Sequence, residues 1–269
     1  MFIHNFNPVL INFGLFQIKW YSLAYILGIL LGWWYAKKII AKIEINQHSF
    51  RSVTKIYFDD LLIYLVIGVV LGGRLGYVFF YNFSYYIENI TEVFKVWEGG
   101  MSFHGGLLGV IISTIIYTKS SKTNFFKISD IISCVAPIGI FLGRIANFIN
   151  GELYGKASML PWSIIFPNGG NIGRHPSQIY EAILEGIILF ILINYFAIQK
   201  KLLFKPGCIS GLFLILYSIL RIIAENFREP DAHIGYLFKY FSLGSILSLI
   251  TAITGLLIIL YSKKNEQNN

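Results

Sequence analysis

The chain has 269 residues, of which 55% are hydrophobic and 13% charged, with a mean hydropathy of +0.63. That composition excludes an ordinary soluble globule. A net charge of +8 and a pI near 9.3 would suit a nucleic-acid binder, but the basic cytoplasmic loops of a membrane protein explain the excess more simply.

A hydrocarbon core of about 30 Å needs about 20 apolar residues per helix. The apolar runs predict seven spanning helices at roughly 18–38, 58–81, 101–118, 128–149, 177–198, 207–226 and 240–261. The first is preceded by Lys19 rather than a basic cluster, so it reads as a retained anchor and not a cleavable leader. The second, LLIYLVIGVVLGGRLGYVFFY, carries Arg74, and the third opens in WEGGMSFHGGLLG with His104 before two glycines. Glycine allows close backbone approach, and a helix start offers free N–H groups to an anion. The fourth closes on Arg144 and Asn147, followed by the polar turn Gly151 to Gly155. The loop of roughly 20 residues that follows, with Pro161, Trp162, Pro167, Gly169 and Gly170, is long enough to predict a lid or arm. Gln178, Glu181 and Glu185 open the fifth run, and Arg221 and Glu225 close the sixth. No interval suits a separate soluble domain, so one all-α integral membrane domain is expected over residues 1–269. Cys134 and Cys208 lack CxxC spacing and read as small buried residues.

The loops after the first, third and fifth spans, with the C-terminal tail, hold thirteen Lys and Arg, against six on the other side. The positive-inside rule therefore predicts an external N-terminus and a cytoplasmic C-terminus. In that orientation Tyr21, Arg74, His104, Arg144, Asn147, Gln178, Glu181, Glu185, Arg221 and Glu225 all fall in the outer half of the bilayer. The inner half offers only Asp59, Asp60 and Asp130 at its rim. A guanidinium at membrane depth costs at least about 2.5 kcal/mol unless paired, and it cannot deprotonate. Arg74, Arg144 and Arg221 thus imply a polar chamber facing the outer leaflet and an anionic ligand such as a phosphate. Arg221 and Glu225 are i,i+4, and Gln178, Glu181 and Glu185 form one stripe at i, i+3 and i+7. Three arginines against three glutamates balance in charge. The bland alternative is ion-pair glue between helices, above all Arg74 with Glu185. A small-anion transporter is the competing function, but the polar groups stop halfway across and no internal repeat is evident. A non-catalytic assembly subunit leaves the His, Arg and Glu set unexplained. The acidic segment with Glu88, Glu92 and Glu98 reads as an ordinary solvated loop.

WYSLAY, GGRLGYVFFYN, WEGGMSFHGGLLG, GRIANFINGELYG, HPSQIYEAILEG and RIIAENFREPDAHIGYL occur in order from residue 20 to 237. On these motifs the chain resembles the prolipoprotein diacylglyceryl transferase family over essentially its whole length. The resemblance implies a seven-span enzyme of the bacterial inner membrane; no cofactor is expected, and no carboxylate-rich or Cys/His cluster in the sequence suggests a metal. Its implied substrates are phosphatidylglycerol and the lipobox cysteine of a prolipoprotein signal peptide, joined as a thioether with release of glycerol phosphate. The family motif GRxxNFxNGE maps onto Gly143, Arg144, Asn147, Asn150, Gly151 and Glu152, its histidine onto His104, its second arginine and glutamate onto Arg221 and Glu225, and its tyrosine onto Tyr21. Ala146, Tyr154 and Lys19 depart from the usual pattern without removing an acid, base or anion-binding group. In this reading His104 accepts the thiol proton, since a cysteine thiol has pKa about 8.5. Arg144 and Arg221 receive the departing phosphate, and Glu225 and Glu152 orient the arginines. Tyr21, Arg74, Asn147, Asn150, Gly151 and Gln178 complete substrate binding.

Overall fold

The computed structural model describes residues 2–14, 17–44, 55–96, 99–230, 236–237 and 241–267; positions 97–98 and 231–235 of the quoted motifs, Glu98 among them, lie outside the described residues. The main helices among the described residues are α1 (Trp20–Glu44), α2 (Lys55–Tyr81), α3 (Phe83–Glu88), α4 (Phe103–Ser120), α5 (Phe125–Asn150), α6 (Ser177–Gln199), α7 (Cys208–Glu225) and α8 (Leu243–Gln267). Six of them, α1, α2, α5, α6, α7 and α8, are long and apolar enough to cross a membrane. The protein is an all-α polytopic membrane protein. The third of the seven predicted spans is α4, which at 18 residues is about 27 Å long but is not among those six. The only strands among the described residues are two- to four-residue pairs, β1 (Phe2–Ile3), β2 (Val9–Asn12), β3 (Gln17–Lys19), β4 (Ile164–Ile165), β5 (Tyr236–Leu237) and β6 (Phe241–Ser242).

The chain divides into two compact units, Lys37–Ser129 and Met1–Ala36 with Asp130–Asn269. In the first, α2 lies along α4 through facing glycines. A Cβ on Gly76 would come 2.7 Å from Gly105 Cα, and one on Gly72 would come 2.9 Å from Gly109 Cα. Lipid supplies no hydrophobic drive for helix association, so close backbone packing has to supply it. Ser102 starts α4: its N–H donates to Gly73 O (2.8 Å) and its Oγ accepts from Gly105 N (3.2 Å).

In the second unit α7 and α8 meet where Gly211 and Gly255 face each other, a Cβ on Gly211 falling 2.6 Å from Gly255 O. The start of α7 is capped from another helix. Gly207 precedes it at φ +94 and has no side chain to offer, so Asp130 of α5 accepts from Gly207 N (2.7 Å), Ser210 N (2.7 Å) and Ser210 Oγ (2.5 Å). Asp130 is fully buried. The same carboxylate that satisfies the first turn of α7 thereby ties it to α5, the two helices that carry Arg221 and Arg144.

The loop predicted as a lid or arm is instead knitted to its surroundings. Gly155 N donates to His175 O, Lys156 N to Phe227 O, and Ile164 and Arg174 exchange both backbone bonds, each at 2.9 Å. Its strand β4 pairs in parallel with β1, and the Arg174 side chain donates to Gly169 O and Gly155 O, pairs with Glu229 and lies 4.8 Å from the Tyr154 ring centroid. Burial, and then the nearby Lys156 ammonium, hold His175 below the ordinary histidine pKa, so at neutral pH this loop carries an uncharged imidazole.

Candidate active site

Three helix ends build the site. Arg144 stands near the end of α5, Glu181 and Glu185 near the start of α6, and Arg221 and Glu225 at the end of α7. Glu181 and Glu185 are 1% and 0% exposed, and Gln178, one turn earlier, is 1% exposed. The stripe read from spacing is therefore the buried face of α6, which widens into a π turn over Ala182–Ile188, a distortion frequent at functional sites.

Arg144 Nη1 lies 2.8 Å from Glu181 Oε2 and its Nη2 3.0 Å from Glu185 Oε2. Arg221 Nη1 lies 3.0 Å from Glu181 Oε2 and 3.3 Å from Glu185 Oε1, while its Nη2 reaches Glu225 Oε2 at 2.8 Å. Arg228 Nη1 completes the set, 3.4 Å from Glu181 Oε1. Among the described residues the ion pairs gather Arg144, Arg221 and Arg228 around Glu181, Glu185 and Glu225. Arg228 stands where the sequence expectation had Arg74. Glu181 Oε2 and Glu225 Oε2 sit within ion-pair distance yet make no directional hydrogen bond, so charge and not bond geometry holds them. Gln178 Oε1 is buried without a partner, its amide nitrogen donating to Glu152 O at 2.6 Å.

Beside the cluster a second group forms around Glu152. Asn147 Nδ2 donates to Glu152 Oε1 (2.8 Å) and lies 3.4 Å from Tyr21 Oη, and Asn150 Nδ2 lies 3.4 Å from the same carboxylate oxygen. Gly151 makes this possible: it turns the chain at φ +66, and a Cβ there would press on the His4 ring at 3.1 Å. Expected to orient an arginine, Glu152 orients two asparagines instead, because the turn at Gly151 folds it back toward α5.

Arg74 also departs from expectation. It is buried, and its Nε, Nη1 and Nη2 donate to the backbone carbonyls of Val93 (2.8 Å), Gly99 (2.5 Å), Gly100 (3.2 Å) and Glu92 (2.5 Å). Among the described residues backbone carbonyls of its own unit receive its fork. His104 is the second residue of α4 and is exposed. Tyr21, Arg144, Asn147, Asn150, Gly151, Glu152, Gln178, Arg221 and Glu225 thus belong to one unit, and Arg74 and His104 to the other. The residue missed by sequence reasoning, Arg228, carried a signal: Arg221, Glu225 and Arg228 are spaced i, i+4 and i+7.

The family described as prolipoprotein diacylglyceryl transferase matches residues 8–261 of this chain. The phosphatidylglycerol–prolipoprotein diacylglyceryl transferase of Rickettsia felis is 48% identical over 258 residues, covering 96% of this chain and 97% of that protein. The protein of that name from Rhodospirillum rubrum is 47% identical over 96% of this chain and 93% of its own length. The one from Rhizobium meliloti is 44% identical over 93% of this chain and 90% of its own.

Proposed function

The chain belongs to the prolipoprotein diacylglyceryl transferase family, and from that premise we propose that its buried arginine–glutamate cluster is where the transfer takes place. The protein is a transferase of lipoprotein biosynthesis. It moves the diacylglyceryl group of phosphatidylglycerol to a prolipoprotein, at the thiol of the lipobox cysteine in the signal peptide. A carbon–sulfur bond forms at the glycerol carbon, the bond from that carbon to the phosphate oxygen breaks, and glycerol phosphate leaves with the electron pair.

The observation that carries this reading is the pairing of Arg144 and Arg221 with shared glutamates at 2.8 to 3.3 Å. Among the described residues neither arginine has a protein partner at Nε, so each keeps a donor for the phosphate. Charge-assisted bonds to that phosphate strengthen as its negative charge grows. Asn147 and Tyr21, steadied by Glu152, present polar atoms to the headgroup, and Gln178 Oε1 supplies an acceptor for a glycerol hydroxyl. His104 takes the thiol proton. Arg74 serves that histidine indirectly: by gathering the carbonyls of Glu92, Val93, Gly99 and Gly100 it sets the approach to Ser102 and the first turn of α4.

In the membrane, α4 is the third of seven spans, packed on α2 through facing glycines. The N-terminus is external and the C-terminus cytoplasmic, as the distribution of basic residues requires. The chain resides in the bacterial inner membrane with its site toward the outer leaflet. The test is a transfer assay with purified protein, labelled phosphatidylglycerol and a lipobox peptide beside its Cys→Ser control. Label on the cysteine peptide alone, with glycerol phosphate released, is the expected result; no transfer by folded protein refutes the reading.

A further inference from the structure

The last helix begins against the cluster. Ser242 caps α8, its Oγ accepting from Ser245 N at 3.1 Å, and Gly244 is the second residue of the helix. A Cβ built on Gly244 would lie 2.7 Å from Glu225 Oε1 and 2.9 Å from both its Cδ and Oε2. All three nearest atoms belong to one carboxylate and none to backbone. On its other side that carboxylate pairs with Arg221 Nη2 at 2.8 Å, and its Oε2 is buried without a hydrogen-bond partner. Glu225 is therefore held between a guanidinium and a bare Cα, at a helix start whose amide ends favour negative charge. Space, and not a directional bond, fixes where the carboxylate rests.

We propose that Gly244 is a positioning residue for the transfer: its missing side chain is the slot that seats Glu225 and, through Glu225, aims the Arg221 fork. The proposal rests on reading the arginine–glutamate cluster as the transfer site. A packing glycine behaves differently. At Gly211 and Gly255 an added methyl meets the facing helix backbone, so whole helices must separate. At Gly244 the nearest atoms it meets are the end of a flexible side chain, so the fold yields at little cost while the carboxylate moves. Alanine is also the better helix residue, so local propensity does not account for glycine here.

The experiment compares Gly244→Ala, Glu225→Gln and the double variant Gly244→Ala/Glu225→Asp in nanodiscs, measuring kcat, KM for phosphatidylglycerol and Tm. Gly244→Ala is expected to lose roughly ten- to a hundredfold in kcat/KM, the scale on which a misplacement of about 1 Å acts. Its Tm should stay at or above that of the unmodified protein. Aspartate, one methylene shorter, makes room for the methyl, so the double variant should transfer faster than Gly244→Ala alone. Unchanged turnover in Gly244→Ala, with Glu225→Gln impaired, overturns this inference and leaves the site reading standing. Unchanged turnover in Glu225→Gln overturns the site reading and this inference with it. A lowered Tm in Gly244→Ala, or a double variant no faster than it, makes Gly244 a packing residue and overturns the proposal.

Discussion

Replacing Glu181 by glutamine tests whether charge balance holds the three helix ends together. Glu181 is 1% exposed and lies 2.8 Å from Arg144, 3.0 Å from Arg221 and 3.4 Å from Arg228. Glutamine keeps the shape and removes the charge, leaving one buried guanidinium uncompensated. Breaking a buried pair in this way costs about 3–5 kcal/mol. A chain of this size loses about 2–4 °C in Tm per kcal/mol, so the expected drop is on the order of 10 °C. The assay is thermal unfolding in nanodiscs free of phosphatidylglycerol, because bound ligand would mask the loss. Glu92→Gln is the internal control: its pair with Lys95 is 2.6 Å long, with side chains 23% and 37% exposed, and such pairs contribute about 0–1 kcal/mol. Glu181→Gln/Arg228→Gln removes one charge of each sign and should melt above Glu181→Gln alone. A Glu181→Gln protein that melts with the Glu92→Gln control refutes the reasoning.

Arg144→Lys and Arg221→Lys should each lower the transfer rate about a hundredfold, since an ammonium lacks the planar fork; near-normal initial rates in both would make the arginines structural. His104→Gln should lose about 10²- to 10⁴-fold in transfer rate; unmodified turnover removes the base assignment. Gly72→Val should abolish folded protein, as its side chain would enter the backbone of Gly105 and Gly109, whereas Gly106→Ala should be tolerated because its Cβ meets nothing closer than Val69 O at 3.8 Å. Size-exclusion profiles of the two variants decide this, and similar profiles would contradict the close packing of α2 on α4.

What could be read from the sequence was whatever repeats with helical period. Glu181 and Glu185 were legible because four residues return to the same face, and Arg221 with Glu225 for the same reason. Arg228 continues that face, but it stands beyond the apolar run and reads as a loop cation. Arg74 shows the limit more sharply. A buried guanidinium announces that it needs acceptors, but backbone carbonyls leave no mark in a sequence, so a glutamate was the natural partner to expect. Asp130 was hidden by the same cause, because a cap given across 77 positions has no local signature. The loop from Gly151 to Pro176 looked free because glycine and proline mark breaks in regular structure, while its ties to His4, Phe227 and Glu229 are long-range. Boundaries of the apolar runs were legible to within a few residues, since burial in lipid acts on length and composition directly.

The pairing of arginines with glutamates bears on how such a site can work at membrane depth. Three unpaired guanidiniums there would be costly in the free protein, and would hold any phosphate that reached them. With Glu181, Glu185 and Glu225 in place, each guanidinium of the described cluster faces a carboxylate, and the arginines are already oriented before a lipid arrives. Phosphatidylglycerol brings a singly charged phosphodiester, whereas the departing glycerol phosphate approaches two negative charges. The added attraction therefore grows along the reaction instead of being spent on the bound lipid, which is the condition for accelerating a chemical step. On this reading the glutamates are as necessary to turnover as the arginines. They lower affinity for the ground state and the product alike, and they leave the guanidiniums little reorganisation to undergo when the carbon–oxygen bond breaks.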